Sequence, residues 1–205
     1  MEPFTVLDAA AAPLDMSNVD TGLIIPARFT RKPRRSGYQD YLFHDLRFRK
    51  DGSEAPGFVL NREGFRDARI LVADRNFGAG SSREQAVWSL LDYGIRCVIA
   101  ADFGEILEAN ALKCGLLPVR LDAESCLHLR GLLHAEPGAR IRVDLAAQRV
   151  TGPDGVAYGF DIPPFRKTCL LGGLDDIDIT RQHDAAFLAF ETAYRQRYDW
   201  LFDAE

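Results

Sequence analysis

The stretch Asn76-Phe77-Gly78-Ala79-Gly80-Ser81-Ser82-Arg83-Glu84-Gln85 constrains this chain more than any other. It follows a short apolar run, Ile70 to Ala73, and precedes Ala86, Val87, Leu90 and Leu91 at helical spacing, with Gly94 as the stop. The pattern is strand, glycine loop, helix. Ser81 followed three residues later by Glu84 has the form of a capping box, which places the helix start at Ser81. Amides at a helix N-terminus carry partial positive charge, and Gly78 and Gly80 permit close backbone approach, so the loop suits a carboxylate or phosphate. Arg83 adds a planar fork for a carboxylate. Nucleotide binding is disfavoured. No Lys-Ser or Lys-Thr follows the glycines, and Arg83 stands where a dinucleotide fingerprint needs its third glycine.

The same alternation continues downstream. Cys97 to Ala100 reads as a strand, Phe103 to Lys113 as a helix capped by Gly115, and Leu117 to Leu121 as a further strand. Strands alternating with helices predict a parallel sheet with right-handed crossovers. Glu124 to His134 reads as a helix, after which Ile141 to Leu145, the region of Val150, and Val156 to Ile162 alternate around the turn Gly152-Pro153-Asp154-Gly155. That section is expected to be antiparallel. A helix is expected from Pro163-Pro164 to Leu171, ended by Gly172-Gly173, and a second from Thr180 to Trp200. Phe4, Val6 and Leu7 lead into an alanine-rich segment interrupted by Pro13, to which no strand or helix is assigned. Tyr38 to Phe48 forms an apolar cluster, and Asp51 to Gly57 a loop.

Two other segments bear on function. Asn18-Val19-Asp20-Thr21-Gly22 contains an Asp-Thr-Gly triplet, but an aspartic protease needs two carboxylates sharing a proton and no second triplet occurs. Asp20 and Thr21 read locally as turn residues before Leu23-Ile24-Ile25-Pro26. Next, Arg28, Arg31, Lys32, Arg34 and Arg35 gather on a loop marked by Pro33 and Ser36-Gly37, in a chain of formal net charge -5. Clustered cations can neutralise nucleic-acid phosphates, but the acidic balance and the lack of a stacking pattern speak against that, which leaves a plain solvated loop or a collar for a small dicarboxylate. The four cysteines lie far apart without a Cys-x-x-Cys pair, and His128 and His134 lack ligand spacing, so no metal site is expected in this chain. At 205 residues and 47% hydrophobic content, one well-buried domain spanning 1–205, with terminal extensions, is the expectation. The start lacks a signal-peptide pattern and no apolar run is long enough to span a bilayer, which points to a cytoplasmic protein.

Asn76-Phe77-Gly78-x-Gly80-Ser81-Ser82-Arg83-Glu84 resembles the signature of the swivelling domain of the aconitase superfamily, and Asn18-Val19-Asp20-Thr21-x-x-Ile24-Ile25-Pro26 a second signature of its 3-isopropylmalate dehydratase small-subunit branch. The Gly115-Leu116-Leu117-Pro118-Val119 segment is similar as well, so the resemblance spans nearly the whole chain in order and spacing. It implies an α/β fold: a swivelling β/β/α domain with a parallel sheet core flanked by helices and a smaller antiparallel C-terminal section. It implies a hydro-lyase interconverting 2- and 3-isopropylmalate through isopropylmaleate in leucine biosynthesis, active with a large subunit that carries a four-iron four-sulfur cluster. Ser81 would be the catalytic base and Asp20 a second catalytic group. Ser82, Arg83, Arg35 and Gly80 would bind substrate, and Arg31, Lys32 and Arg34 would belong to a loop that closes over it. Ala79 and Gln85 stand where bacterial small subunits usually carry cysteine and histidine, and Gln85 removes a titratable group beside the site. Another branched malate, of citramalate or dimethylmalate type, is the alternative substrate, and a non-enzymatic anion- or nucleic-acid-binding module is the alternative class.

Overall fold

The computed structural model describes residues 1–34 and 37–202. It divides into two compact units, Met1–Gly173 and Leu174–Glu205. The first is built on a seven-stranded sheet of β1 (Val6–Pro13), β2 (Ile70–Val72), β3 (Cys97–Ala100), β4 (Leu117–Arg120), β5 (Arg140–Asp144), β6 (Arg149–Thr151) and β7 (Ala157–Gly159), ordered β4-β3-β2-β1-β5-β6-β7. β1 to β4 run parallel, and β5 pairs antiparallel with β1 on its other side. The expected hairpins follow as β5-β6-β7.

The alanine-rich segment without an assigned element is therefore the central strand of the sheet. Alanine is a poor strand former in isolation, and strand preference reflects packing on a pleated surface. Here Ala9, Ala11 and Ala12 are buried, with Ala11 on one face and Ala12 on the other. Small side chains on a strand covered on both faces let the flanking layers approach closely. Pro13, which lacks an amide donor, sits at the end of β1 opposite Val72.

Adjacent residues of each parallel strand feed opposite cores. Leu71, Ala73, Val98 and Ala100 face one side, packed with residues of α1 (Thr21–Ile24), α3 (Glu84–Tyr93) and α4 (Glu105–Cys114) and with Leu42 and Phe43, which precede α2 (His44–Arg47). Ile70, Val72, Cys97 and Ile99 face the other, packed with Leu129 and Leu133 of α5 (Ala123–Ala135) and Leu170 of α6 (Pro164–Gly172). The apolar runs read as buried strands because both faces are covered. Helices α3 and α4 end at left-handed Gly94 and Gly115, as expected.

The second unit differs from its expected single helix. It contains α7 (Asp176–Arg181), α8 (Asp184–Arg197) and a 3-10 turn at Asp199–Leu201. Asp175 and Asp178 form a capping box that starts α7 ahead of Thr180, and a turn at Gln182 and His183 separates the two helices. Phe190 and Tyr194 stack on α8 with centroids 5.7 Å apart, and Tyr198, just past its end, tilts against Tyr194 at 4.8 Å. Among the described residues no helix is long and apolar enough to cross a membrane.

Candidate active site

Three loops meet at the carboxyl ends of the parallel strands. The loop after β1 carries Asn18 to Thr21, the loop after β2 carries Asn76 to Arg83, and the loop after β3 carries Asp102 to Gly104. Gly78 N donates to Val19 O at 2.6 Å, Thr21 N to Ala79 O at 2.9 Å and Asn18 N to Arg75 O at 3.0 Å. The third loop joins through Phe77 N to Asp102 O at 3.1 Å and Asn76 N to Asp102 Oδ1 at 2.6 Å. Asn76 holds a left-handed φ of 57°, a region asparagine tolerates better than most side chains.

Two glycines make this junction sterically possible. A Cβ on Gly104 would lie 2.3 Å from Gly78 O, and one on Gly78 would strike the Leu107 side chain at 2.6 Å. Gly78 also has φ of 79°, which disfavours any side chain.

The two signature segments are thus folded onto each other. Thr21 Oγ1 donates to Ser81 O at 2.9 Å and lies 3.4 Å from Ser81 Oγ. Thr21 is buried, whereas Gly80, Ser81 and Ser82 are exposed and Arg83 is half-buried. The place a Gly22 Cβ would occupy is 3.0 Å from Asp20 Oδ1 and 3.1 Å from Arg83 Nη1, so the carboxylate and the guanidinium flank the same glycine. Arg83 Nη1 also donates to Ile25 O at 3.3 Å. Asp20, Ser81 and Arg83, some sixty positions apart in sequence, share one surface. Thr21 stands inside the Asn18 to Pro26 segment, but its tie to Ser81 cannot be seen in the sequence, because its hydroxyl partner is set only by the fold.

Local roles differ from expectation in two places. Ser81 does not cap α3. The N-cap position is Arg83, without a side-chain cap bond, and Glu84 turns its carboxylate to Trp88 Nε1 at 3.2 Å and Cys114 Sγ at 3.4 Å. The capping-box pattern is overridden because residues 79 and 81 are tied by backbone oxygens to Thr21. Asp20 is a real cap: its Oδ1 accepts from Gly22 N at 2.6 Å and Leu23 N at 2.8 Å at the start of α1.

The basic loop lies along α3. Gln85 Nε2 donates to Thr30 O at 3.4 Å, and Tyr38, fully buried, packs edge-on against Trp88 at 5.8 Å and donates its hydroxyl to Lys32 O at 2.5 Å. Arg34 lies 3.5 Å from Asp92 and 5.2 Å from the Trp88 ring centroid. Arg28 pairs with both oxygens of Asp45, and this contact holds the Asp45 carboxyl below its ordinary range. Of the four described cations of the cluster, Arg28 and Arg34 therefore already have acidic partners. Arg31 and Lys32 are exposed. Arg35 lies outside the described residues.

The thiols offer no cluster seat. Cys97, Cys126 and Cys169 are buried, burial pushes Cys97 far up and Cys126 to about 11, and burial together with Glu84 pushes Cys114 to about 11. Among the described residues no group of three or more His, Cys, Asp or Glu could hold a metal ion. These side chains do not fit an iron-sulfur cluster, which needs converging thiolates.

Residues 1–124 match the family model of the aconitase C-terminal domain, and residues 128–164 match LeuD_N. A solved 3-isopropylmalate dehydratase (leuD) from Methanocaldococcus jannaschii superposes with a TM-score of 0.66 at 21% identity, covering 90% of this chain and 98% of the other. The class is that of the aconitase C-terminal domain. A protein named 3-isopropylmalate dehydratase small subunit from Paramagnetospirillum magneticum is 48% identical over 98% of this chain and 100% of its own length. The corresponding protein of Xanthobacter autotrophicus is 47% identical over the same shares. The chain belongs to the family of 3-isopropylmalate dehydratase small subunits.

Proposed function

We propose that this chain is the small subunit of a heteromeric hydro-lyase that interconverts 2-isopropylmalate and 3-isopropylmalate through isopropylmaleate, in leucine biosynthesis and in the cytoplasm. What supports the reading most directly is the junction of the Asp20 and Ser81 segments in a chain related end to end to proteins of that name. The four-iron four-sulfur cluster of such dehydratases is assigned to the large subunit. The residues of this chain bind the substrate and move a proton.

Ser81, as the alkoxide, takes the proton from the carbon beside a carboxylate and returns it on rehydration. A serine hydroxyl is a weak base at neutral pH, so its anion must be stabilised. The uncapped N-terminus of α3 and the Arg83 guanidinium supply positive potential at the right loop. Arg83, Ser82 and Arg35 hold substrate carboxylates, and Gly80 lets the backbone approach them. Asp20 uses Oδ1 to cap α1, which leaves its second oxygen for proton exchange beside Ser81. Arg31 and Lys32 line the rim, while Arg34 acts through Asp92 and Trp88 as a latch for the loop.

Assay of the complex reconstituted with its large subunit against isopropylmalate, citramalate and dimethylmalate tests this reading. The highest kcat/KM is expected for isopropylmalate. Preference for a smaller branch would overturn the substrate, and a chain that captures nucleic acid but no large subunit would overturn the enzyme. Arg83→Lys keeps the charge but loses the fork, so kcat/KM is expected to fall by the equivalent of about 1.5–3 kcal/mol.

A further inference from the structure

Two of the three loops of the site, those after β1 and β2, begin at one guanidinium. Arg130 on α5 is 6% exposed, and its Nη1 donates to Ala73 O, at the end of β2, at 2.8 Å. Its Nε lies 3.1 Å from Asp15 Oδ1, and Nη1 lies 3.8 Å from Asp74 Oδ1. Asp15 follows β1 and Asp74 follows β2, so the guanidinium spans the entry points of the loops carrying Asp20 and Ser81. One turn further along α5, His134 Nε2 meets Asp15 Oδ2 at 2.5 Å. The Nε contact is close enough for an ion pair but lacks hydrogen-bond alignment, and that atom is otherwise buried without a partner.

A guanidinium withdrawn from water is costly, and a well-packed apolar side chain of similar volume often serves stability as well or better. A rigid fork reaching a carbonyl and two carboxylates on two loops has geometric value instead. Arg130 also lies in the segment matched by LeuD_N, beyond the 1–124 match to the aconitase C-terminal domain.

We propose that Arg130 is a positioning residue for the dehydratase reaction: it clamps the starts of the β1 and β2 loops and so fixes Ser81 relative to Asp20. The proposal rests on the roles given to those two residues above. Small displacements of reacting groups carry large rate costs, because the geometry of attack is steep.

Two measurements on Arg130→Met and Arg130→Lys test it. In the full chain, hydrogen exchange at the loop-crossing amides of Asn18, Thr21 and Gly78 is expected to speed up in Arg130→Met while the amides of β3 and β4 keep their protection. In the complex with the large subunit, kcat is expected to fall roughly 10–100-fold with a much smaller change in KM, and Arg130→Lys to recover part of the loss. Should Arg130→Met not fold, Asp15→Asn, whose side chain is 55% exposed, removes the same ion pair and carries the same expectations. Unchanged kcat, or faster exchange spread evenly over the sheet, would overturn the clamp. A wild-type complex inactive on every branched malate would sink the functional reading instead, and the exchange pattern would still decide the clamp.

Discussion

Ser81 has no structural duty at the helix it precedes, and this sharpens what its removal should do. Loss of a serine N-cap costs about 0.5–2 kcal/mol, but the cap position of α3 is Arg83 and no side chain bonds there. The Thr21 hydroxyl reaches the Ser81 carbonyl, which alanine retains. Ser81→Ala is therefore expected to leave the melting temperature nearly unchanged while turnover in the complex falls ~10²–10⁴-fold. A variant that melts earlier but turns over normally would remove the proton-transfer role. The residues of this site were legible as motifs, since the glycines, Ser81, Arg83 and Asp20 all stand in recognisable order. Their local geometry was less so: Ser-x-x-Glu is a sound local signal, but backbone bonds from a segment sixty residues away outcompete it. Arg130 gave no signal at all, because its partners, one carbonyl acceptor and two ion-paired aspartates, are brought together only by the sheet.

Among the elements, α3 has two tasks. Its buried face, Ala86, Val87 and Leu90, packs into the core, while Gln85, Trp88 and Asp92, spaced at about one turn, hold the basic loop. The half-exposed Arg34 pair adds little to global stability, since surface ion pairs and cation–π contacts are each worth about 0–1 kcal/mol. Its value is local. Asp92→Ala also frees Tyr38 N, which donates to Asp92 at 3.1 Å, so trypsin is expected to cut after Arg31 or Arg34 well below the melting temperature, with the remainder of the chain intact; the Lys32–Pro33 bond resists it. Equal cleavage rates in variant and parent would refute the latch. Helices α3 to α6 and strands β2 to β4 were readable from periodicity and, for α3, α4 and α6, from the glycines that end them. The central strand was not, because its alanines carry little preference and become a strand only when paired on both edges and covered on both faces.

The first unit as a whole joins a parallel half, β4 to β1, to an antiparallel half, β5 to β7, through one shared strand. We propose that this unit is the swivelling domain and that the second, from Leu174, is its C-terminal extension. Several carboxyls across the chain sit below their usual range: Asp45 through Arg28, Asp122 through Ser125, Asp154 through His128 and Asp175 through the backbone around Asp178. A carboxyl depressed on folding adds stability above its unfolded value near 3.8, and that stability is lost as pH falls through the lower folded value. The melting temperature is thus expected to be flat from neutrality to about pH 5 and to drop below pH 4. The Asp122→Asn, Asp154→Asn double variant should show a shallower acid decline, and an identical decline would show that these groups do not govern it. The shared strand also has a consequence for synthesis. Val6 to Ala10 leave the ribosome more than a hundred residues ahead of their pairing partners on β5, residues 140–144. Until most of the first unit has been made, the middle of the future sheet is an open edge, the kind of surface that pairs with other chains. A nascent chain halted before residue 140 is therefore the species most exposed to aggregation and most in need of a chaperone.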